Sequence, residues 1–388
     1  MNRRQFLQCS AALGLTALLP QIGEPATSST AAGHSINQFA QRLLTVLPSD
    51  QNLFVSPFSI AAALALAAGG SGGDTAAEFN KLLGFKSQTD MLDSFSQLLP
   101  QLTSSTEYEL ATANGLFVDD SLTLLKPYQQ TMQKRFGARV ERVDFAGDPE
   151  GSVQRLNDWV AQITRGKIKR MMSPNGALKC VLANAIYFKG TWKEAFSRAA
   201  TRQEPFFLLN GTTVQVPMMN SSPRHLLYAK SNLLEAVQLP YKGRDLAMNV
   251  ILPARDKKLE TIDPRLSNMK FAAPEVQLSM PKLKLTTSYN LVKPLKGIGL
   301  VSPFTGAADF SRMSTSSLKI DSVSHKAFLE VDEKGTEAAA ATTVAMTELA
   351  SVPKPPIQFR ADRPFLLTIE HLPSKTLLFV GRVLNPTG

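Results

Sequence analysis

Helical spacings crowd the first half of this chain and strand patterns fill the second, an order that predicts an α+β fold. Three observations carry the prediction. Apolar residues recur at helical intervals at Ile36, Phe39, Leu43, Leu44 and Leu47. The apolar run from Val181 to Phe188 suits a strand buried on both faces. Near the end, Phe365 to Ile369 and Thr376 to Val380 flank a Leu-Pro-Ser-Lys turn and read as a hairpin.

Taken in order, Ser35 to Leu47 is the first helix by that spacing. Asn52-Leu53-Phe54-Val55 is a short strand. Ser56-Pro57 then opens a second helix, with serine as N-cap and proline at the first helical position. This helix runs through Ile60 to Ala68, is apolar all round and therefore buried, and stops at Gly69-Gly70. Asp148-Pro149 repeats the device for a helix whose Val153, Leu156, Trp159, Val160 and Ile163 share a face, with Gly166 ending it. From Cys180 the texture turns to strands. Leu234 to Pro253 reads as two strands about Lys242-Gly243, and Val276 to Leu285 alternates with Lys282 and Lys284 outward. No repeat or linker interrupts them. One large domain is expected at 388 residues, where length alone suggests two or three.

Glu330 to Pro356 fits none of these patterns. Thr336-Glu337 and the four alanines after it favour helix, Thr342, Thr343 and Val344 favour strand, and Pro353, Pro355 and Pro356 deny both. Context must decide its conformation.

Composition narrows the function. Mean hydropathy is −0.06 and no long apolar run follows residue 20, which speaks against a spanning protein. The formal net charge is +10, and a leader bearing Arg3, Arg4 and Glu24 accounts for only one unit of it. The basic residues are scattered and lack an aromatic-plus-basic motif, so a solvated basic surface is expected rather than a nucleic-acid site. Asn2-Arg3-Arg4-Gln5-Phe6-Leu7 before an apolar run, Ala11 to Leu19, reads as a secretory leader of twin-arginine type. Residues 1–32 are assigned to it, with cleavage after Ala32 or near Ala26, leaving a domain from 33 to 388 that is periplasmic or extracellular. The leader suggests a bacterial protein, in which the glycosylation sequons at Asn210 and Asn220 carry little weight. One cysteine, Cys180, remains after the leader, so no intramolecular disulfide forms.

Catalytic motifs are weak. Gly69-Gly70-Ser71-Gly72-Gly73 matches a nucleophile elbow in letters, but it follows a helix instead of a strand, where glycines are a stop signal. The four histidines, His34, His225, His325 and His371, lack acidic or cysteine neighbours at metal-ligand spacing. His325, on an apolar strand, is expected buried and hydrogen-bonded. Neither metal nor cofactor is expected.

Several motifs in order are similar to those of serpins. They begin with Asn52-Leu-Phe-Val-Ser56-Pro57-Phe-Ser59-Ile60, Ala113-Asn114-Gly115-Leu116-Phe117, Asn157-Asp-Trp159-Val160 and Thr164-Arg-Gly166-Lys167-Ile168. Leu182-Ala-Asn184-Ala-Ile-Tyr187-Phe188-Lys189-Gly190-Thr-Trp192, Leu239-Pro240-Tyr241, Pro281-Lys282 and Val323-Ser-His325-Lys326 follow. The set closes with Glu330 to Ala341, Pro364-Phe365, Leu378-Phe379-Val-Gly381 and Asn385-Pro386. The likeness runs from about residue 34 to the end.

The resemblance implies a serpin fold, helices packed on three sheets, with the ambiguous stretch (about 333–356) as an exposed reactive-centre loop. It implies a monomeric suicide inhibitor of serine proteases and no enzyme. The protease cuts the loop, is caught as an acyl-enzyme, and is carried away as the cut loop inserts into the main sheet. The hinge, Glu333, Gly335, Thr336, Glu337, Ala338, Ala339, Ala340 and Ala341, is of the inhibitory type. Thr336, Ala338, Ala340 and Thr342 would point into the core on insertion, with Glu337, Ala339, Ala341 and Thr343 on the other face. Family spacing puts the reactive bond at Leu349-Ala350, favouring chymotrypsin-, subtilisin- or elastase-like proteases. A register one shorter makes Glu348 the contact residue, for a glutamate-specific protease. Nothing in the loop excludes a cysteine protease. Ser56, Ser59, Asn184 and His325 would form a polar cluster governing sheet opening. Trp192 and Gly190 would lie where the loop enters, with Lys282 pairing Glu333. The alternative is a non-inhibitory serpin acting as a binding or storage protein.

Overall fold

The computed structural model describes residues 28–336 and 355–388. Strands, numbered in chain order, form three sheets. The main sheet has the order β12 (Leu283–Asn290), β13 (Ser322–Val331), β4 (Cys180–Thr191), β2 (Tyr108–Asp119) and β3 (Arg139–Val143), with β14 (Gly335–Thr336) on β4. A second sheet runs β1 (Leu53–Val55), β17 (Thr376–Val383), β16 (Phe365–His371), β10 (Leu246–Pro253), β9 (Leu234–Pro240), β8 (Leu227–Lys230). The third runs β15 (Ile357–Arg360), β11 (Glu275–Pro281), β6 (Thr213–Asn220), β5 (Arg202–Phe207), with β7 (Arg224–His225) pairing β11. The α+β class holds, as three sheets with packed helices.

Helices α1 (Ser28–Leu44), α2 (Pro57–Ala68), α3 (Gly73–Leu83), α4 (Gln88–Thr103) and α5 (Lys126–Phe136) pack on one another, while α6 (Pro149–Ile163) lies on β2. A short α7 (Val292–Gly297) follows β12. No helix among the described residues is long and apolar enough to cross a membrane. Every residue of α2 is buried, and Ser56 caps it by accepting from the Ser59 amide at 3.1 Å.

The apolar run in β4 has a simple cause. One face, with Cys180, Leu182, Ile186 and Phe188, meets the main core beside α2. The other, with Val181, Ala183, Ala185 and Tyr187, meets a second core that includes Val153, Leu156 and Val160 of α6. Both faces of this strand are dry, so the period-two polar alternation disappears.

Three elements differ from expectation. The first helix begins earlier, at Ser28, and ends at Leu44, where Thr45 turns back to bond the Arg42 carbonyl. Val276 to Leu285 is not one strand. The chain leaves the third sheet at Pro281 and joins the main sheet at Leu283, so Lys282 sits at the crossing. Ile357–Arg360, for which no element was expected, is a strand parallel to β11.

Phe379 is fully buried, stacks on Phe54 at 5.0 Å and approaches Phe188 at 6.0 Å, tying the second sheet to β4. Phe379→Ala is expected to cost about 3–5 kcal/mol. The check is a lower urea midpoint at unchanged slope.

Candidate functional site

β4 and β13 are parallel neighbours in the middle of the main sheet, paired from Val181–Ser322 to Tyr187–Phe328. Beyond that point they part. The chain leaving β13 turns back through Glu333-Lys334, with Asp332 bridging Gly335. It then runs antiparallel to β4, Gly335 opposite Thr191 and Thr336 opposite Gly190. Gly335 has φ +149°, and a Cβ there would lie 2.2 Å from the Gly190 carbonyl oxygen. Only glycine fits this approach.

The surrounding groups hold the turn by its backbone and its carboxylate. Trp192 donates its amide to the Lys334 carbonyl (2.9 Å) and its indole N–H to the Asp332 carbonyl (3.1 Å). Phe196 N–H donates to the Glu333 carbonyl at 2.8 Å. The buried Glu333 carboxylate accepts from Lys282 Nζ at 3.0 Å and from the Thr201 hydroxyl at 2.8 Å. Burial pulls its pKa upward, but its own amide, Lys282 and Thr201 outweigh that and hold it below the usual carboxylate range. Because Glu333 is buried, losing Lys282 would strand a charge, a larger penalty than at an exposed pair.

Thr336 is fully buried and shares a hydrogen bond of 2.8 Å with the Tyr241 hydroxyl. The Tyr241 ring stacks on Trp192 at 4.5 Å and meets Phe188 edge-on at 5.1 Å. Gly190 leaves room for this group, since a Cβ there would lie 2.7 Å from the Phe188 ring and 2.8 Å from the Tyr241 ring.

Lower on the same strands lies a buried polar cluster. Ser56 N–H donates to His325 Nε2 at 3.2 Å, so that nitrogen is unprotonated and Nδ1–H donates to Asn184 Oδ1. Asn184 Nδ2 reaches Ser59 Oγ and Asn114 Oδ1, both at 2.6 Å. The Ser56 hydroxyl donates to the Leu378 carbonyl of the second sheet. Burial pushes the His325 pKa down to about 3. Asn114 Nδ2 is buried without a partner, which marks the cluster as incompletely satisfied.

The structure therefore brings together Glu333, Gly335, Thr336, Gly190, Trp192 and Lys282, and separately Ser56, Ser59, Asn184 and His325. Glu337, Ala338 to Ala341, Glu348, Leu349 and Ala350 lie outside the described residues. Tyr241, Thr201 and Asn114 were missed as members of these groups. Asn114 was legible as the polar break in β2, opposite Asn184. Among the described residues, Asp119, Asp120 and Asp144 offer carboxylate oxygens within 4.8 Å of one another, and Lys179 Nζ already meets Asp119 at 2.7 Å.

The serpin (serine protease inhibitor) family model matches residues 34–386. Iripin-2 of Ixodes ricinus is 35% identical over 366 residues, 89% of this chain and 91% of its own length. Leukocyte elastase inhibitor of Bos taurus is 37% identical over 354 residues, 86% of this chain and 93% of its own. Human thyroxine-binding globulin superimposes with a TM-score of 0.85 at 27% identity, over 93% of this chain and 100% of its own.

His325 makes the cluster acid-sensitive. Its folded pKa lies below the unfolded value near 6.5, so the unfolded chain binds the extra proton and stability rises with pH. The stabilisation is present above pH ~6.5 and is lost as pH falls towards about 3, to a total of roughly 5 kcal/mol. His325→Gln is expected to be weaker at neutral pH but to lack this part of the acid slope. Urea midpoints of both proteins between pH 7 and 4 give the comparison, and parallel curves would contradict it.

Proposed function

The chain belongs to the serpin family, and on that premise we propose that it is a suicide-substrate inhibitor of serine endopeptidases. The family acts by inhibition and the chain is not an enzyme. One observation carries the mechanism. The main sheet keeps two parallel strands together at its centre, and at their open end Gly335–Thr336 already pairs antiparallel with β4. Continuing that strand downward would exchange a parallel pairing for antiparallel ones, the slightly more stable kind.

On insertion in the register of Gly335–Thr336, Ala338, Ala340 and Thr342 would come beside Phe188, Ile186 and Asn184, on the face that meets the main core. Small side chains suit that packed face. Glu337 falls opposite Lys189 on the other face, an acceptable position for a charge. Each new main-chain hydrogen bond contributes about 1 kcal/mol net, so a full strand is worth on the order of 10 kcal/mol before ordering costs. A protease cutting at Leu349-Ala350 releases that strand, and the acyl-enzyme is carried with it. The uncut chain is then metastable.

Leu349 fits chymotrypsin-, subtilisin- or elastase-like targets, and the likeness to leukocyte elastase inhibitor supports the last. With Glu348 as contact residue the target is glutamate-specific, and a cysteine protease is a further candidate. The likeness to thyroxine-binding globulin keeps a binding-protein reading in view. We also propose a monomer of bacterial origin, exported to the periplasm or beyond. Ala32 is fully buried within α1, so cleavage near Ala26 leaves that helix whole, whereas cleavage after Ala32 does not.

Chymotrypsin and subtilisin are expected to form an SDS-stable complex with the protein. Thr336→Arg would put an unpaired charge against Tyr241 and is expected to leave a folded protein that is cut without complex formation. Unchanged complex yield in that variant contradicts the insertion argument. Cleavage without complex in the unmodified protein, across a panel of serine and cysteine proteases, favours the binding-protein reading.

A further inference from the structure

The segment joining β4 to β5 cradles the hinge through Trp192, Phe196 and Thr201, and is itself held from behind by Asn220 at the end of β6. Asn220 Nδ2 donates to the Ala200 carbonyl at 3.1 Å and to Glu204 Oε1 at 2.8 Å, and its Oδ1 accepts from the Ser279 hydroxyl at 2.6 Å. The other Glu204 oxygen accepts from the Arg360 guanidinium. Arg360 belongs to β15, the first strand described after residues 337–354, and β15 is a four-residue edge strand that pairs, among the described residues, with β11. Just beyond it, Ala361 N–H donates to the Ser279 carbonyl (2.9 Å) and Phe207 N–H to the Asp362 carbonyl (2.8 Å). Hydrogen bonds, joined through the Ala200–Thr201 peptide bond, thus link Glu333 by way of Thr201, Ala200, Asn220 and Glu204 to Arg360.

From this continuity we infer that Asn220, with Glu204 and Arg360, is a positioning clasp that ties the upstream arm of the reactive loop to the downstream arm. The inference rests on the reading of 337–354 as that loop, and adds that neither arm loosens from its sheet independently. The residue types suit the task. An amide both donates and accepts, so one side chain can join a carbonyl, a carboxylate and a hydroxyl. A charge-assisted guanidinium–carboxylate contact is among the stronger hydrogen bonds available to hold a short edge strand. The sequon at Asn220 also gains a meaning. Its amide nitrogen is committed to protein acceptors, whereas Asn210 sits on the exposed turn between β5 and β6.

Spatial continuity alone does not establish coupling, so the test measures both arms together. Hydrogen exchange is followed by mass spectrometry on the intact, uncut protein. Asn220→Ala and Arg360→Gln are each expected to speed exchange roughly three- to tenfold, about the net worth of one hydrogen bond, at 333–336 and at 357–360 alike. Glu204→Arg should do the same, and Glu204→Arg with Arg360→Glu should restore slow exchange in both arms. Thr201→Val, a milder change on the upstream side, should reach 357–360. Arg360→Gln loosening β15 while the hinge keeps its unmodified rates overturns the clasp, as does failure of the double reversal to rescue. These rates need no protease, so absence of an SDS-stable complex would count against the inhibitory reading alone.

Discussion

Two parallel strands, β4 and β13, lie side by side at the centre of the main sheet, and the rest of the structure is arranged around the seam between them. The seam is dry on both faces. Below, the packed helices and the cluster of Ser56, Ser59, Asn184 and His325 hold it closed. Above, the chain leaving β13 folds back and occupies the first rung with Gly335–Thr336. A sheet built this way is paired along its centre up to Tyr187–Phe328 and open above, and on the proposed mechanism that opening is the physical content of metastability.

The two polar groups along the seam do different work. At the head, Glu333, Lys282, Trp192 and Tyr241 hold the turn that brings Gly335–Thr336 onto β4. The constraint is tight, because Gly335 admits no Cβ and Gly190 leaves space for only two aromatic rings. Halfway down, His325 and Asn184 share a side-chain hydrogen bond across β13 and β4 themselves, so opening the seam means breaking it. Keeping His325 neutral keeps that cluster intact, and acid works against it. The clasp through Asn220 and Glu204 extends the same logic to the third sheet, where β15 would otherwise be a short, weakly held edge.

Much of this was legible in the sequence, and the residues explain why. Ser56-Pro57 announces its helix by a local device, and β4 shows its double burial as an unalternating run. The fold family and the named site residues came from ordered motifs. The omissions are long-range. Tyr241 meets Thr336 across 95 residues, and nothing local to either announces the other. Lys282 looked like part of one alternating strand because the sheet change at Pro281 keeps the alternation going. β15 carries Gln358 and Arg360 beside prolines, a composition that reads as loop, and becomes a strand only because β11 is there to pair with it.

On the proposed mechanism, the loop's more stable place is inside the seam. The most direct measurement compares the thermal unfolding of intact protein with that of protein cut once between residues 337 and 354. Insertion worth on the order of 10 kcal/mol should raise the unfolding temperature of the cut form by roughly 10–15 °C for a chain of this length. A cut form that melts at or below the temperature of the intact protein would rule out insertion as the more stable state.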